Sequence, residues 1–199
     1  DLVQVKRTND GNLSGVKKIA AGPFHTCAIF QSEIPMYCWG DNESKQLSFS
    51  ESDVRLIALS QSRTCIVTND NSLKCTSFDG IFTFYFDNVI INLTAGHDHF
   101  CALLENGTAK CFGGNSDGQL GDGSKTDRYD SAVYVEDSNG SPLSDITDIN
   151  AGGFSTCLLL SNKTPMCFGS NFAYQLGIAS GDDVAVPVPT KLDVNLPND

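Results

Sequence analysis

Nowhere do the 199 residues contain the roughly 18 consecutive apolar residues that a membrane-spanning helix needs. The longest largely apolar run, Ile81 to Phe86, broken only by Thr83, has the length of one strand and is expected to be a buried one. Basic residues are scarce: 13 Lys and Arg against 24 Asp and Glu leave a formal charge of −11, spread along the chain rather than gathered in a tail. Such a surface repels a phosphate backbone, which argues against direct binding of nucleic acid. A starting Met and an apolar leader are absent, so the chain reads as a mature or excised segment. No Cys-x-x-Cys clamp occurs, and no metal is expected. Gly113-Gly114 and the stretch from Gly118 to Gly123 lack the Lys and the strand-to-helix setting of a phosphate loop, and read as turns. Asp117, Asp122, Asp127 and Asp130 lack the alternation of a calcium loop. Without any Ser–His–Asp or Cys–His arrangement, neither an enzyme nor a cofactor is expected.

What is present is a repeat. Cys27/Cys38, Cys65/Cys75, Cys101/Cys111 and Cys157/Cys167 use all eight cysteines, each pair spaced by a short apolar stretch and a polar turn. Around them recur AAGPFHTC with YCWGDN, TAGHDHFC with KCFGGN and NAGGFSTC with MCFGSN, and a worn copy, ALSQSRTC with KCTSFD. Successive first cysteines lie 38, 36 and 56 residues apart, a mean close to the 40 to 50 residues of a four-stranded propeller blade. The fold class expected is therefore all-β: a β-propeller of about four repeat blades, forming one domain over 1–199. Blades are expected at about 1–50, 51–88, 89–132 and 133–185, with 186–199 opening a further blade or forming a tail. The match of Val3 to Gly22 with Val133 to Gly152 at a constant offset of 130 supports that frame, with Val3-Gln4-Val5 and Val133-Tyr134-Val135 as opening strands.

Within the third unit, Cys101 to Leu104 and Ala109 to Phe112 are strand candidates joined by Glu105-Asn106-Gly107. A three-residue loop with left-handed Gly107 sets Leu104 opposite Thr108 and Cys101 opposite Cys111. Asn69-Asp70-Asn71 and Ser161-Asn162-Lys163 do the same for the second and fourth units; the first has one extra loop residue. In His97-Asp98-His99, His99 shares its repeat position with His25, where Arg63 and Ser155 stand in the other units, so a structural role is expected there and no metal site.

Ala-Gly, then His or Ser, then Cys-Ala-Leu, a turn, Cys-Trp/Phe-Gly, Asn and Gly-Gln-Leu-Gly together resemble the repeat of the regulator of chromosome condensation family. The third unit keeps Gly118-Gln119-Leu120-Gly121 whole, while the first and fourth keep Gln46-Leu47 and Gln175-Leu176-Gly177. The second lacks both Ala-Gly and Gly-Gln-Leu-Gly, and its blade is the one expected to be irregular. The resemblance implies a seven-bladed propeller, of which four units would be a part. The paired cysteines are similar to those of secreted microbial repeat proteins and of crinkly-type plant receptor ectodomains, which implies four within-unit disulfides in an oxidising compartment. Eight reduced core cysteines in a cytosolic propeller are the alternative.

Glycan-acceptor patterns begin at Asn12, Asn42, Asn92, Asn106 and Asn162. Asn42 aligns with Asn115 and Asn171 and is expected to be structural, leaving Asn12, Asn92, Asn106 and Asn162 as glycosylation candidates. The function expected is a non-enzymatic recognition module, extracellular or on a cell surface, presenting blade loops to a protein or glycan partner. Tyr129 and Tyr134, in the longest departure from the repeat (Ser124 to Asp145), are the candidate contact residues. The alternatives are an intracellular exchange-factor-like regulator of a small GTPase, as the resemblance implies, and an enzyme-inhibitor propeller.

Overall fold

The computed structural model describes residues 14–31, 36–49 and 51–190. Asn12 and Val3-Gln4-Val5 lie outside them. Among the described residues, fifteen strands form four antiparallel meanders. The first holds β1 (Val16–Ala21), β2 (His25–Phe30) and β3 (Tyr37–Gly40), and the second β4 (Val54–Leu59), β5 (Thr64–Thr68), β6 (Leu73–Ser77) and β7 (Gly80–Phe84). The third holds β8 (Ile90–Ala95), β9 (His99–Leu104), β10 (Ala109–Gly113) and β11 (Arg128–Tyr134), and the fourth β12 (Ile146–Gly152), β13 (Ser155–Leu160), β14 (Pro165–Gly169) and β15 (Val184–Pro189). These are four consecutive blades of a β-propeller.

The central hairpins follow from turn chemistry. Gly107, Asn71 and Lys163 adopt the left-handed conformation at φ 78°, 68° and 69°. In each loop the residue before the turn donates to the one after it: Leu104 N to Thr108 O, Thr68 N to Ser72 O and Leu160 N to Thr164 O. Counting three residues back from such a hydrogen-bonded pair reaches a non-hydrogen-bonded one, where antiparallel strands come closest. The cysteines occupy those positions: Cys65 faces Cys75, Cys101 faces Cys111 and Cys157 faces Cys167, each with Cα atoms 4.1 Å apart. In the first blade, whose register the extra loop residue left open, Cys27 faces Cys38 at 4.0 Å, and the pairing is the same. All four pairs are disulfide-bonded, and none joins one blade to another. Cys75 is fully buried between blades, whereas Cys38, on the last strand described in the first blade, is half-buried.

Three features depart from the sequence reading. Val133 pairs with Cys111 and Val188 with Cys167, so the strands expected to open following blades instead pair backwards as the outermost strands of the third and fourth sheets. Strand β11 thereby straddles the expected boundary at 132/133, and β15 the one at 185/186. The run Ile81 to Phe86 supplies an outer strand rather than a buried one: Phe84 is buried, but Ile81 is 46% and Tyr85 83% exposed. The second blade is also not irregular. Its outer pair runs from Leu73/Phe84 to Ser77/Gly80 without a register shift, whereas the outer pairs of the third and fourth blades each shift once. A two-residue turn, Phe78-Asp79, replaces the long loop that carries Gln-Leu-Gly elsewhere.

Three apolar clusters join neighbouring blades. Ile29, Met36 and Phe49 meet Val54 and Ile57; Val67, Leu73 and Phe84 meet Leu93, Phe100 and Phe112; Leu103, Ala109 and Leu120 meet Ile149, Leu158 and Phe168. Two junctions add the same polar relay. His25 Nε2 lies 2.7 Å from Thr64 Oγ1, whose hydroxyl donates to Gln46 O at 2.7 Å. His99 Nε2 lies 2.9 Å from Thr156 Oγ1, which donates to Gln119 O at 2.9 Å. With its one proton committed to the carbonyl, each Thr hydroxyl must accept from the imidazole, which fixes a proton on Nε2. Burial, then the neighbouring His97, lowers the His99 pKa from 6.5 to about 4; burial also lowers that of His25, against the pull of Asp41. The middle junction has Arg63 and Phe100 at these positions and is filled instead by Phe84, Phe100 and Phe112, with ring centroids 4.5 and 5.4 Å apart.

The relay makes stability depend on pH. Above pH 6.5 the neutral His99 costs nothing. As pH falls, the unfolded chain takes up a proton that the buried ring refuses until about pH 4, so stability drains away across that window by up to about 3 kcal/mol for this group. His99→Gln should flatten that part of the pH dependence in urea unfolding. Gly113 sits at φ 110°, with its missing Cβ position 2.4 Å from Asp98 O, so Gly113→Ala should lower stability by about 3 kcal/mol or more. Gly152→Ala, where nothing lies within 4 Å, should change it by less than about 0.5 kcal/mol in the same thermal melts.

Candidate functional site

The meander geometry gives the blades two ends. Loops between first and second strands, and those following third strands, gather at one end because His25 pairs with Gly40, His99 with Gly113 and Ser155 with Gly169. The central hairpin turns gather at the other.

Exposed aromatic side chains crowd the first end. Phe24 is 55% exposed, Phe78 69%, Phe172 76% and Tyr174 62%, with Tyr129 and Phe154 beside them less open. Phe24 and Phe154 share one repeat position, three residues before a cysteine, where Ser62 and Asp98 stand in the middle blades. Phe172 and Tyr174 interrupt the Asn-x-x-x-Gln-Leu loop, whose frame is otherwise uniform. In it Asn42, Asn115 and Asn171 each accept from the backbone five residues on, at 2.9 to 3.0 Å, which gives Asn42 the structural role expected of it. Tyr174 occupies the left-handed conformation (φ 59°) that Gly118 fills in the third blade, an unfavourable place for an aromatic residue.

In the middle of this end lies a cavity of about 380 Å³ between three blades, lined by Gln61, His97, Asp98, Asp127, Tyr129 and Phe154 among others. The His97 ring lies against that of Phe154, tilted by 35°, with centroids 4.6 Å apart. The Tyr129 hydroxyl donates to Asp98 Oδ2 at 2.6 Å, and the Arg63 guanidinium lies 4.6 Å from the Tyr129 ring centroid. Burial first, then the hydrogen bond and charge of Asp98, push the Tyr129 pKa up, so its hydroxyl remains a donor at physiological pH. Among the described residues no group of three or more His, Cys, Asp or Glu is arranged to hold a metal.

The two tyrosines singled out from sequence are therefore not one site. Tyr129 begins β11 at the aromatic end. Tyr134 ends it at the other, its ring under Lys110 Nζ at 4.3 Å and its hydroxyl 3.4 Å from Asp87 Oδ2. Asn106 and Asn162 stand exposed in hairpin turns at that far end. Asn92 is half-buried, and its amide donates to Asp148 Oδ1 and Ile149 O in the next blade, each at 3.3 Å. The amide nitrogen a glycan would require is already committed there. Sequence reasoning missed Phe24, Phe154, Phe172 and Tyr174; the signal available was an aromatic residue at repeat positions that are small or polar in other units.

Comparison with known proteins agrees with this architecture. The regulator of chromosome condensation (RCC1) repeat matches residues 16–46 and 90–119. An RCC2 homologue of Xenopus laevis is 30% identical over 173 residues, covering 84% of this chain and 28% of its own length. Prp20p of Saccharomyces cerevisiae superposes with a TM-score of 0.73 at 17% identity, over 88% of this chain and 50% of that one. The ectodomain of the Physcomitrella patens receptor kinase CR4 does so with a TM-score of 0.60 at 20% identity, over 83% and 44%. The chain thus spans about half the length of these solved propellers and little more than a quarter of the curated relative. The chain thus carries RCC1 repeats, matched over residues 16–46 and 90–119, in propeller blades like those of RCC1-like repeat proteins, with a bonded cysteine pair in each of the four blades.

Proposed function

We propose that this chain is a protein-recognition module of an oxidising, extracellular or cell-surface compartment, and that its aromatic end is the contact face. The observation that carries the reading is the concentration of Phe24, Phe78, Phe154, Phe172 and Tyr174, all exposed, at one end of a rigid set of blades. Aromatic side chains give large contact area at low entropic cost and dominate interface energetics. Rigid blades carrying variable loops are a common way to present such residues. Prp20p, of like fold, has binding properties toward Gsp1p and histones, and CR4 is a receptor kinase with this fold in its ectodomain; a protein-binding role accords with both. Four disulfides support an oxidising compartment over a reducing one. Asn106 and Asn162 are the glycan acceptors proposed, since a glycan at the far end leaves the contact face clear.

Non-reducing peptide mapping of protein from its natural compartment should return the four within-blade bridges and added mass on the Asn106 and Asn162 peptides. Eight free thiols with bare asparagines would overturn the location and favour the GTPase-regulator alternative. Tyr174→Gly should raise stability by up to about 1 kcal/mol, by relieving a left-handed aromatic residue, while weakening partner binding. Thermal melts paired with binding to the partner recovered by cross-linking on the native surface check both halves.

A further inference from the structure

We infer that the cavity between the second, third and fourth blades receives an arginine side chain of the protein partner. The inference rests on the contact face proposed above and adds the chemistry its centre recognises.

Two carboxylates, Asp98 and Asp127, line this cavity, and neither Lys nor Arg does. Asp98 Oδ2 already accepts from Tyr129, and Asp127 Oδ1 accepts from Asn115 N at 2.7 Å, so one oxygen of each carboxylate is engaged within the fold. Each retains a second oxygen. Gln61 and His97 also line the cavity. The two remaining carboxylate oxygens call for donors and positive charge. The Phe154 ring at the rim, 41% exposed, offers an apolar face. A planar group with five donors, a permanent positive charge and a face that stacks on aromatic rings answers all three features, and that group is guanidinium.

The same neighbourhood already holds one such contact internally. Arg63 lies over the Tyr129 ring and within 6.0 Å of the Phe82 centroid. Arg63 lines the adjoining cavity on the other side of Tyr129 rather than this one. The net charge of −11 favours encounter with a basic segment. A lysine has the charge but neither the fork nor the plane, and at a bidentate, stacked site the two are not interchangeable.

The test is two-dimensional amide NMR on the whole chain with capped Gly-Arg-Gly, Gly-Lys-Gly and Gly-citrulline-Gly peptides as probes. The arginine peptide should shift the amides of Gln61, His97, Asp98, Gly114 and Phe154 saturably, the lysine peptide should bind more weakly, and the uncharged citrulline peptide should leave them unmoved. Asp98→Asn, checked for unchanged dispersion elsewhere, should weaken the arginine peptide about tenfold. Equal shifts from all three peptides, or none from arginine, would overturn the inference. If arginine fails but Tyr174→Gly still weakens the native partner, the contact face stands without this pocket. If both fail, the face itself is wrong.

Discussion

A four-stranded blade is a thin sheet with apolar residues on both faces, and neither face can be left to water without losing most of the burial that holds the sheet together. Everything else in this chain depends on covering those faces with the next blade. One repeat position measures the effect. Ile57, Leu93 and Ile149 face the preceding blade and are 6%, 7% and 1% exposed, whereas Ile19 at the same position of the first blade is 61% exposed. Among the described residues no blade lies beside Ile19, and the same strand chemistry is surface there and core where a neighbour stands beside it. The far edge is barer in the same way: Cys157 is half-buried, while its counterparts Cys27, Cys65 and Cys101 are fully buried.

Polar groups enter these junctions where strand and loop together can satisfy them. The His–Thr–Gln relay ties a second strand to the loop and second strand around it, and it appears at the first and third junctions. Arg63 and Phe100 stand in its place at the middle one, and the consequence reaches the surface. Arg63, released from that duty, lies over Tyr129, and Tyr129 in turn donates to Asp98 at the mouth of the central cavity. A departure in the repeat at a buried junction is thereby connected to the residues exposed above it.

Much of this was legible in the chain. Turn residues fix hairpin register by counting, so the pairs Cys65/Cys75, Cys101/Cys111 and Cys157/Cys167 and the left-handed Asn71, Gly107 and Lys163 could be read directly. Cys27/Cys38 could be read only by analogy, because its longer loop breaks the count. Recurrence identified His25, His99 and Asn42 as structural. Partner choice for the outer strands could not be read, because β11 and β15 follow loops whose length says nothing about which neighbour they rejoin. Hydrophobicity misled at Ile81 to Phe86 because an outer strand that buries only part of itself, here Phe84 against the next blade, can be as apolar as a central one. Tyr129 and Asp98 meet through the pairing of β11 and β9 on either side of β10, and Arg63 reaches them only by the packing of the second blade on the third.

Because every disulfide closes within its own blade, no cross-link ties one blade to another, and beyond the chain itself they are joined by apolar packing and hydrogen bonds alone. A blade lost or gained by recombination would leave no thiol without its mate and require no re-pairing elsewhere. The same independence means that oxidation can proceed blade by blade as the chain emerges, each hairpin locked before the next is made, so that the folding of this propeller need not wait for its last strand to choose the partners of its first cysteines.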